Sequence, residues 1–410
     1  MNRAVHSDIA IIGGGLAGQM MARTLSGTGY DVVLIDKPAS AALYQTDYRT
    51  TTIHAAGKRM LDALGVWDKL AIAPEPIDFI KVGQNQTENR WPLCFSAQEI
   101  ALAYTVQNQA LADALKQYPC TRQDGIIDTI DFGADKPNWQ FKDGTKGSAD
   151  LIIGCDGANS FTRQQARLPV WKRHTNQTAI IAHIHAETHH KQTAFQRFLP
   201  EGPLAFMPLA DNMLSLVWSL SEASAERLLS CDKALFETEL NAAFGPELGH
   251  LSLSDGEGGI RQTWPLRPTI VPHLTAKGLI LAGDAAHALH PLAGMGFNLA
   301  LADMAVLADC LVSAKQRGLI AGHTSILSDY AHRRRPEIVA LSAVTEGLNR
   351  LFSHSSTTKN RFGARQIATL AGWGMQLVGK SRLDTQISRL AMGGVLSPAQ
   401  LLDGKLPWAH

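Results

Sequence analysis

The order of apolar and polar positions at the start of the chain predicts a βαβ unit. The run DIAII has the length and composition of a buried strand, and GGGLAG after it is a turn. QMMARTLSGTG is typical of a helix that ends in glycine, and DVVLI of a second strand. The pattern therefore predicts strand, turn, helix and strand within the first 36 residues.

The turn in this unit carries a dinucleotide-binding pattern. Gly13, Gly15 and Gly18 satisfy GxGxxG directly after a strand, and Asp36 ends the second strand. The three glycines permit a tight turn, a close approach of a pyrophosphate and close packing of helix on strand. An acid at Asp36 favours a free ribose hydroxyl, so FAD or NAD qualifies and NADP does not.

The start of the helix is the second part of this site. Backbone N–H groups at a helix N-terminus face bound phosphates. The first helical residues, Leu16 and Ala17, are therefore expected to contact the cofactor. A GxGxxG triplet alone is common by chance in a chain with 35 glycines, and the flanking strand, helix and acid make this one specific.

Downstream periodicity predicts helices and then an antiparallel sheet. After a loop, an amphipathic helix is expected with Ile53, Met60, Leu61 and Leu64 on one face, and a further helix over 107–117. Residues 178–269 are rich in strands. There LAFMPL and MLSLVWSL flank ADN as in a hairpin, and alternate positions share one face, namely Leu214, Leu216, Trp218 and Leu220.

Composition and charge exclude several classes of protein. With 45% hydrophobic residues, 18% charged residues and a net charge of +1, the chain is globular and has no basic excess for nucleic acid. Five cysteines without a CxxC spacing argue against a disulfide framework or a zinc site. The N-terminal apolar run is broken by Asp8 and by glycines, and no 18 apolar residues run together. We expect a cytoplasmic protein, with peripheral contact at the inner membrane face as an option.

Three separated stretches together resemble a known family. GGGLAG, GCDGANSFTR and GDAAHALHPLAGMGFN, in this order, resemble the flavoprotein aromatic hydroxylases of the para-hydroxybenzoate hydroxylase type, over nearly the whole chain. TAFQRFLPEGPLAFMPL and YAHRRRPEIVALSAVTEGLNRLFS resemble the branch that hydroxylates polyprenylated rings in ubiquinone biosynthesis. The resemblance implies bound FAD, transient NADH or NADPH, O2 and an aromatic, prenylated substrate.

The order of the predicted elements indicates a fold and its division into domains. We expect an α/β protein with a discontinuous Rossmann-like FAD-binding domain, an inserted antiparallel-sheet substrate domain and a C-terminal helical region. The FAD-binding segments are expected at 1–75, 101–177 and 270–350, the substrate-domain segments at 76–100 and 178–269, and the helical region at 351–410.

Further site residues follow from the resemblance. Arg49 matches an arginine near flavin and substrate, Gln107 matches a contact to the FAD phosphates, and Asp156 and Arg163 belong to a motif that touches the pyrophosphate and the nicotinamide nucleotide. Asp156 is equally explained as turn chemistry, and Gln107 as an exposed helix residue.

The glycine-rich segment of the third stretch has so few side chains that a flavin ring can lie on it. Asp284 would hold the ribityl chain, and Gly294 and Gly296 would expose N–H groups at a helix start, where about half a positive charge suits reduced flavin. The cofactor residues expected from this segment are Gly283, Asp284, Pro291, Gly294, Gly296 and Asn298.

Several histidine and apolar positions allow two interpretations. His287 and His290 could act as acid or base or be structural, and His183 and His185 share a strand face that could hold a metal or be ordinary. The face of Leu204, Phe206 and Pro208 is either a pocket wall or core.

Two basic segments lie in the last third of the chain. Arg333 to Arg335 are expected on a solvated helix face. The basic amphipathic stretch RFGARQIATLAGWGMQLVGKSRL either lies at a membrane surface or packs on the flavin domain.

The function that these observations favour is an FAD-dependent monooxygenase. Only one full dinucleotide fingerprint is present, so the nicotinamide nucleotide is expected to bind transiently. Alternatives are an FAD-dependent prenyl reductase or halogenase, or a non-catalytic FAD protein acting as a redox sensor or scaffold. No catalytic residue is assigned.

Overall fold

The computed structural model describes residues 5–38, 47–84, 91–97, 100–118, 120–172, 175–255, 260–290, 294–353 and 398–409. The helices are α1 (Leu16–Leu25), α2 (Ala55–Ala63), α3 (Asn108–Lys116), α4 (Phe161–Gln165), α5 (Glu222–Ser230), α6 (Lys233–Phe244), α7 (Met295–Gln316) and α8 (Thr324–Ser353). The strands are β1 (Val5–Ile12), β2 (Val32–Asp36), β3 (Thr50–His54), β4 (Glu75–Ile77), β5 (Phe79–Gln84), β6 (Leu93–Ser96), β7 (Ala103–Gln107), β8 (Thr121–Asp124), β9 (Ile127–Asp131), β10 (Asn138–Phe141), β11 (Lys146–Gly154), β12 (Trp171–Lys172), β13 (Gln177–Ala186), β14 (Thr193–Leu199), β15 (Gly202–Pro208), β16 (Met213–Ser221), β17 (Leu251–Leu253), β18 (Gln262–Leu266), β19 (Thr269–Ile270), β20 (Thr275–Ala276), β21 (Leu279–Leu281) and β22 (His287–Ala288). Single turns of 3-10 helix occupy Trp67–Lys69, Pro246–Leu248, Gly283–Ala285 and Gln400–Asp403.

The first sheet builds the half of the fold in which the sequence predicts the dinucleotide site. Its strands follow the order β20-β21-β11-β1-β2-β8, and β10 and β9 extend it from β11. β1 has parallel partners on both sides, β11 and β2. Its residues Ile9, Ala10 and Ile11 are fully buried, as expected for a parallel strand covered on both faces. Strands from the start, middle and last third of the chain share this sheet, so the predicted discontinuous α/β fold is confirmed.

Helix α7 is the central helix of this half. It packs against α1, β3 and α8. Within the described residues it is the one helix long and apolar enough to cross a membrane, but 72% of the qualifying window is buried inside the fold. Since a helix that is apolar all round is buried in a protein core or in lipid, the packing of α7 identifies it as a core helix.

The second sheet has the order β17-β13-β16-β15-β14-β5-β6, with β18 also paired to β13. The predicted hairpin is confirmed, since β15 and β16 pair antiparallel. Its turn contains Asp211 and Asn212 at φ +56° and +57°. Aspartate and asparagine tolerate this left-handed conformation, which favours the twist of a tight hairpin.

One face of the second sheet packs on α5 and α6. The predicted face of β16 lies in this core, with Leu214, Leu216, Trp218 and Leu220 all buried. Leu204 and Phe206 lie in the same core, and the ring of Phe206 is 5.0 Å from that of Phe244 on α6. These contacts favour the core interpretation of Leu204 and Phe206 over that of a pocket wall.

The segment before α2 differs from the prediction. Ile53 was expected on a helical face, but it lies in β3, which pairs with β7. The β-branched run Thr50–Ile53 suits a pleated strand better than a helix. Met60 and Leu61 do lie buried on α2, and Leu64 is buried just after it.

The domain boundaries given by the sequence stay a prediction. The described residues form two separate hydrophobic cores, one around the first sheet and one between the second sheet and α5 and α6. The basic amphipathic stretch 361–383 lies outside the described residues. Residues 398–409 return to the first core, where Leu401 and Leu402 are buried.

Candidate functional site

The glycine turn after β1 contains glycines of two kinds. Gly13 has φ +109°, and a Cβ there would lie 2.6 Å from the carbonyl oxygen of Cys155. A Cβ on Gly18 would lie 1.7 Å from the carbonyl oxygen of Gly13. A Cβ on Gly15 would meet nothing within 4 Å in the described part of the chain. The polypeptide itself requires Gly13 and Gly18, whereas Gly15 leaves an open approach.

The start of α1 lies beside this open approach. Gly15 is the N-cap of α1 and supplies no side-chain cap. The first N–H groups of a helix have no partner within the helix, so those of Leu16 and Ala17 are available to an anion. Asp36 adjoins the same turn, since a Cβ on Gly14 would lie 2.2 Å from its Oδ2. Arg122 on β8 is 3.5 Å from the same carboxylate oxygen.

The turn after β11 and the short helix α4 contain Asp156 and Arg163, two residues of the predicted site. Asp156 Oδ2 accepts from the backbone N–H of Thr162 at 2.9 Å and from its hydroxyl at 3.0 Å. Its Oδ1 is buried without a hydrogen-bond partner among the described residues. Arg163 is buried, and donates to the carbonyl oxygens of Ala158 and Ala285, each at 2.8 Å. Arg163 thus ties two loops together, and the contact of Asp156 with the cofactor stays a prediction.

The turn Gly283–Ala285 places one accessible carboxylate in a recess. Gly283 has φ +58°, and a Cβ there would lie 3.4 Å from Ala17 Cβ at the start of α1. Asp284 is solvent-exposed, whereas Gly283 and Ala285 are buried. Burial among the surrounding protein atoms raises the pKa of Asp284, and the charges of His287 and Arg49 oppose this rise. An exposed group crowded by protein lies in a concave surface.

The N-terminus of α7 completes the recess. Gly294 caps the helix with φ +63°, and a Cβ there would lie 2.4 Å from Thr52 Cβ. A Cβ on Gly296 would meet no described atom within 4 Å. Asn298 bonds to β3, donating to Thr52 O at 2.7 Å and accepting from the N–H of His54 at 2.9 Å. Asn298 therefore anchors α7 to β3. Pro291 lies outside the described residues.

Arg49 and Gln107 lie at the opposite end of β3. The Arg49 guanidinium donates two hydrogen bonds to Asp47, at 2.7 and 2.8 Å, and lies 4.3 Å from the ring centroid of Trp264. Gln107 ends β7 and is the N-cap of α3. It pairs with Thr50, next to Arg49, so both predicted residues lie at one edge of the small sheet.

The histidines have structural partners. His287 is fully buried, with Nε2 2.6 Å from Asp303 Oδ2. His290 is also buried, and burial lowers its pKa to about 4, so it is neutral at pH 7 and a poor acid there. Both observations favour the structural interpretation.

The two histidines on β13 lie in different surroundings. His183 Nε2 is 3.0 Å from Tyr48 O, and burial lowers its pKa, whereas His185 is exposed. The described residues contain no group of three or more His, Cys, Asp or Glu that could hold a metal ion.

The arginine run on α8 was placed wrongly by the sequence. Arg334 is fully buried and bonds to Asp303 on α7 at 2.7 Å. Only Arg335 is exposed, and Arg333 pairs with Asp309 at 3.2 Å. Sequence reasoning missed Asp303 and Arg334. The one available signal was that Asp303 is an acid within an apolar run, since a buried charge requires a partner.

Comparison with known proteins supports a flavin-binding fold. A sequence model of the family described as FAD binding domain matches residues 6–345. The chain is 33% identical over 356 residues to ubiquinone hydroxylase UbiL of Rhodospirillum rubrum, covering 85% of this chain and 82% of the relative. It is 34% identical over 342 residues to 3-demethoxyubiquinol 3-hydroxylase of Escherichia coli, covering 80% and 85%. HpxO of Klebsiella pneumoniae, solved with FAD and uric acid, has the same fold, with a TM-score of 0.70 at 14% identity and coverage of 96% and 98%.

The chain belongs to the family of FAD-dependent aromatic hydroxylases. The residues present in this hydroxylase fit FAD. Gly15 and Gly296, where a Cβ would meet no described atom, lie at the starts of α1 and α7, and the exposed Asp284 stands in the turn that contacts Ala17. Three chain segments thus lie side by side and leave space at two helix starts near one exposed carboxylate. The individual cofactor contacts predicted from the sequence stay predictions.

Proposed function

We propose that this hydroxylase acts on the aromatic ring of a polyprenylated ubiquinone precursor, with NADH or NADPH as electron donor and O2 as oxygen source. The observation that carries the proposal is the position of β3 between the cofactor recess and the second sheet. Thr52 adjoins the Gly294 cap of α7, and the Thr50 hydroxyl is 2.8 Å from that of Ser215 on β16. The names of the two bacterial relatives, which specify ubiquinone-related hydroxylation, support the substrate class.

The residues of the recess have separate tasks in this proposal. The turn Gly13–Gly18, the N–H groups of Leu16 and Ala17, and Asp36 hold the nucleotide, and Asp284 holds the ribityl chain. The α7 N-terminus carries about half a positive charge, which favours the anionic reduced form of the ring. When bound, FAD supplies the redox chemistry, accepting a hydride from NAD(P)H and activating O2 for transfer of one oxygen atom to the substrate ring.

The substrate ring is proposed to lie against the sheet face opposite α5 and α6. A row of His183, Ser215 and Met207 crosses three neighbouring strands on this face. The neighbouring row of Ile181, Val217 and Ala205 is apolar. Polar groups beside an apolar strip suit an aromatic ring with a hydroxyl and a prenyl tail.

His183 can recognise a hydroxyl on that ring. Its Nε2 donates to Tyr48 O at 3.0 Å, so in the neutral ring Nδ1 is an acceptor. Burial lowers the pKa of His183 and keeps the ring neutral at pH 7. We assign it no role as a base.

The location and partners of the hydroxylase are also proposals. We infer a cytoplasmic protein that meets its lipophilic substrate at the inner membrane face, through the basic stretch 361–383 or through a biosynthetic complex. Pelleting with anionic liposomes, before and after truncation at Ser353, tests the first route. Unchanged binding after truncation removes it.

Deletion of the gene tests the substrate class. Mass spectrometry of the quinone fraction should reveal one accumulating intermediate that lacks a ring hydroxyl, and its loss on complementation. Unaltered quinones would contradict the proposal. A precursor that accumulates with an unsaturated tail and a complete ring would favour the prenyl reductase instead.

A further inference from the structure

A buried charged network lies behind the Asp284 turn. Asp303 on α7 accepts from the backbone N–H of Gly283 at 2.9 Å and from His287 Nε2 at 2.6 Å through Oδ2, and from Arg334 Nε at 2.7 Å through Oδ1. Asp303, His287 and Arg334 are all fully buried. The network therefore joins the turn, α7 and α8 without contact with solvent.

The charges of this network hold Asp303 ionised. Burial alone acts to raise the pKa of Asp303, but His287 and Arg334 outweigh it and the pKa is lowered. Arg334 also bonds to Glu337 and donates to Leu299 O at 3.3 Å. Because buried ion pairs seldom repay their desolvation, such a network is better explained by the geometry that it fixes than by added stability.

The network fixes the geometry of the three-residue turn Gly283–Ala285. Asp303 holds the N–H of Gly283 on one side, and Arg163 holds the carbonyl oxygen of Ala285 at 2.8 Å on the other. Just before the turn, the buried hydroxyl of Tyr330 donates to Leu281 O at 3.0 Å. Asp284, between these anchors, is the exposed member of the turn.

We propose that Asp303, held by Arg334, is a positioning residue for Asp284, so that the affinity for FAD depends on a buried arginine of α8. The proposal goes beyond the reaction itself, and it concerns the ribityl part of the cofactor. It predicts that loss of the Asp303 charge weakens binding of FAD but not of ADP. ADP carries the adenosine and pyrophosphate, which the Gly13–Gly18 turn and Asp36 would hold, and it lacks the ribityl chain.

Asp303→Asn in the full chain tests this inference. In metal sites, removal of a group that orients a direct ligand typically weakens metal affinity about 10–100-fold. Asp303 is proposed to orient Asp284 in the same way, so we expect a rise of that order in the Kd of the apoprotein for FAD, measured by flavin fluorescence. The Kd for ADP should change less than about twofold. Equal loss of FAD and ADP binding would show a merely structural role and overturn the proposal.

A double-mutant cycle tests the route through Asp284. If Asp303 acts by positioning Asp284, Asp303→Asn adds nothing to the FAD affinity already lost in Asp284→Asn. Additive losses would overturn the proposal. Should Asp303→Asn fail to fold, Arg334→Lys, which keeps the charge, should still weaken FAD binding selectively, and less than Arg334→Met does. The matched control is Arg335→Met on the exposed side of α8, which should leave both affinities unchanged.

Discussion

Gly15→Ala separates what the polypeptide requires from what the cofactor requires. Gly15 has φ −67° and ψ −178°, an extended conformation that alanine adopts without strain, and its Cβ would meet no described atom within 4 Å. A glycine-to-alanine change at an unstrained position stabilises by about 0.4–1 kcal/mol through the unfolded state. Alanine is a poorer N-cap than glycine by up to about 1 kcal/mol. The stability of the apoprotein should therefore change by less than about 1 kcal/mol.

The same methyl group should weaken FAD binding. If the pyrophosphate lies against Gly15, the added carbon overpacks that contact at a cost of about 1–3 kcal/mol. This corresponds to a rise in Kd of about 5- to 150-fold. The assays are the urea midpoint of the apoprotein by circular dichroism and titration of FAD by fluorescence.

Gly18→Ala is the matched control. Its Cβ would lie 1.7 Å from Gly13 O, so the apoprotein itself should lose about 3 kcal/mol or more. Wild-type FAD affinity in Gly15→Ala would refute the placement of the pyrophosphate. An apoprotein destabilised as strongly as Gly18→Ala would refute the claim that Gly15 serves a ligand.

Four further substitutions test the architecture. Gly294 has φ +63°, and the Cβ of Gly294→Ala would lie 2.4 Å from Thr52 Cβ. The substitution should therefore destabilise the apoprotein by more than the roughly 1–2 kcal/mol that backbone strain alone costs. An unchanged urea midpoint would contradict the cap geometry. The pKa of His290 falls from 6.5 to about 4 on folding, so the unfolded chain binds the extra proton and about 3 kcal/mol of stability should be lost as the pH falls from 6.5 to 4. His290→Gln should flatten that part of the profile, and an unaltered slope would show that other groups cause it. Phe206→Ala should cost about 3–5 kcal/mol of stability, whereas Met207→Ala, on the opposite face, should cost less than about 1.5 kcal/mol and raise the KM for the aromatic substrate. Equal effects of the two changes on stability would contradict the assignment of the faces.

Local patterns predicted the parts of the fold that local interactions decide. The first βαβ unit and the β15–β16 hairpin follow from periodicity and turn residues close in sequence, and the structure has both. The alternation of residues in β15 places Leu204 and Phe206 on one face of the strand and Ala205 and Met207 on the other. It does not indicate which of the two faces a helix will cover. That outcome depends on α6, whose Phe244 comes from a distant part of the chain.

The burial of Arg334 was beyond local reasoning for a similar reason. A run of three arginines is normally solvated, and the middle one is buried here because Asp303, 31 residues earlier, faces it from α7. The glycine motifs predict a cofactor site at the starts of α1 and α7, and that site stays a prediction. They did not reveal that Asn298 would bond to β3 rather than stand free at the helix start.

The most direct test of the central claim is transfer of oxygen from 18O2 to the substrate by the FAD-loaded enzyme. With NADH or NADPH and a polyprenylated phenol presented in detergent, mass spectrometry should show one 18O atom in the ring of the product, in proportion to the NAD(P)H consumed. Label found only in hydrogen peroxide or water, or product oxygen derived from solvent, would contradict the assignment of this chain as an aromatic monooxygenase.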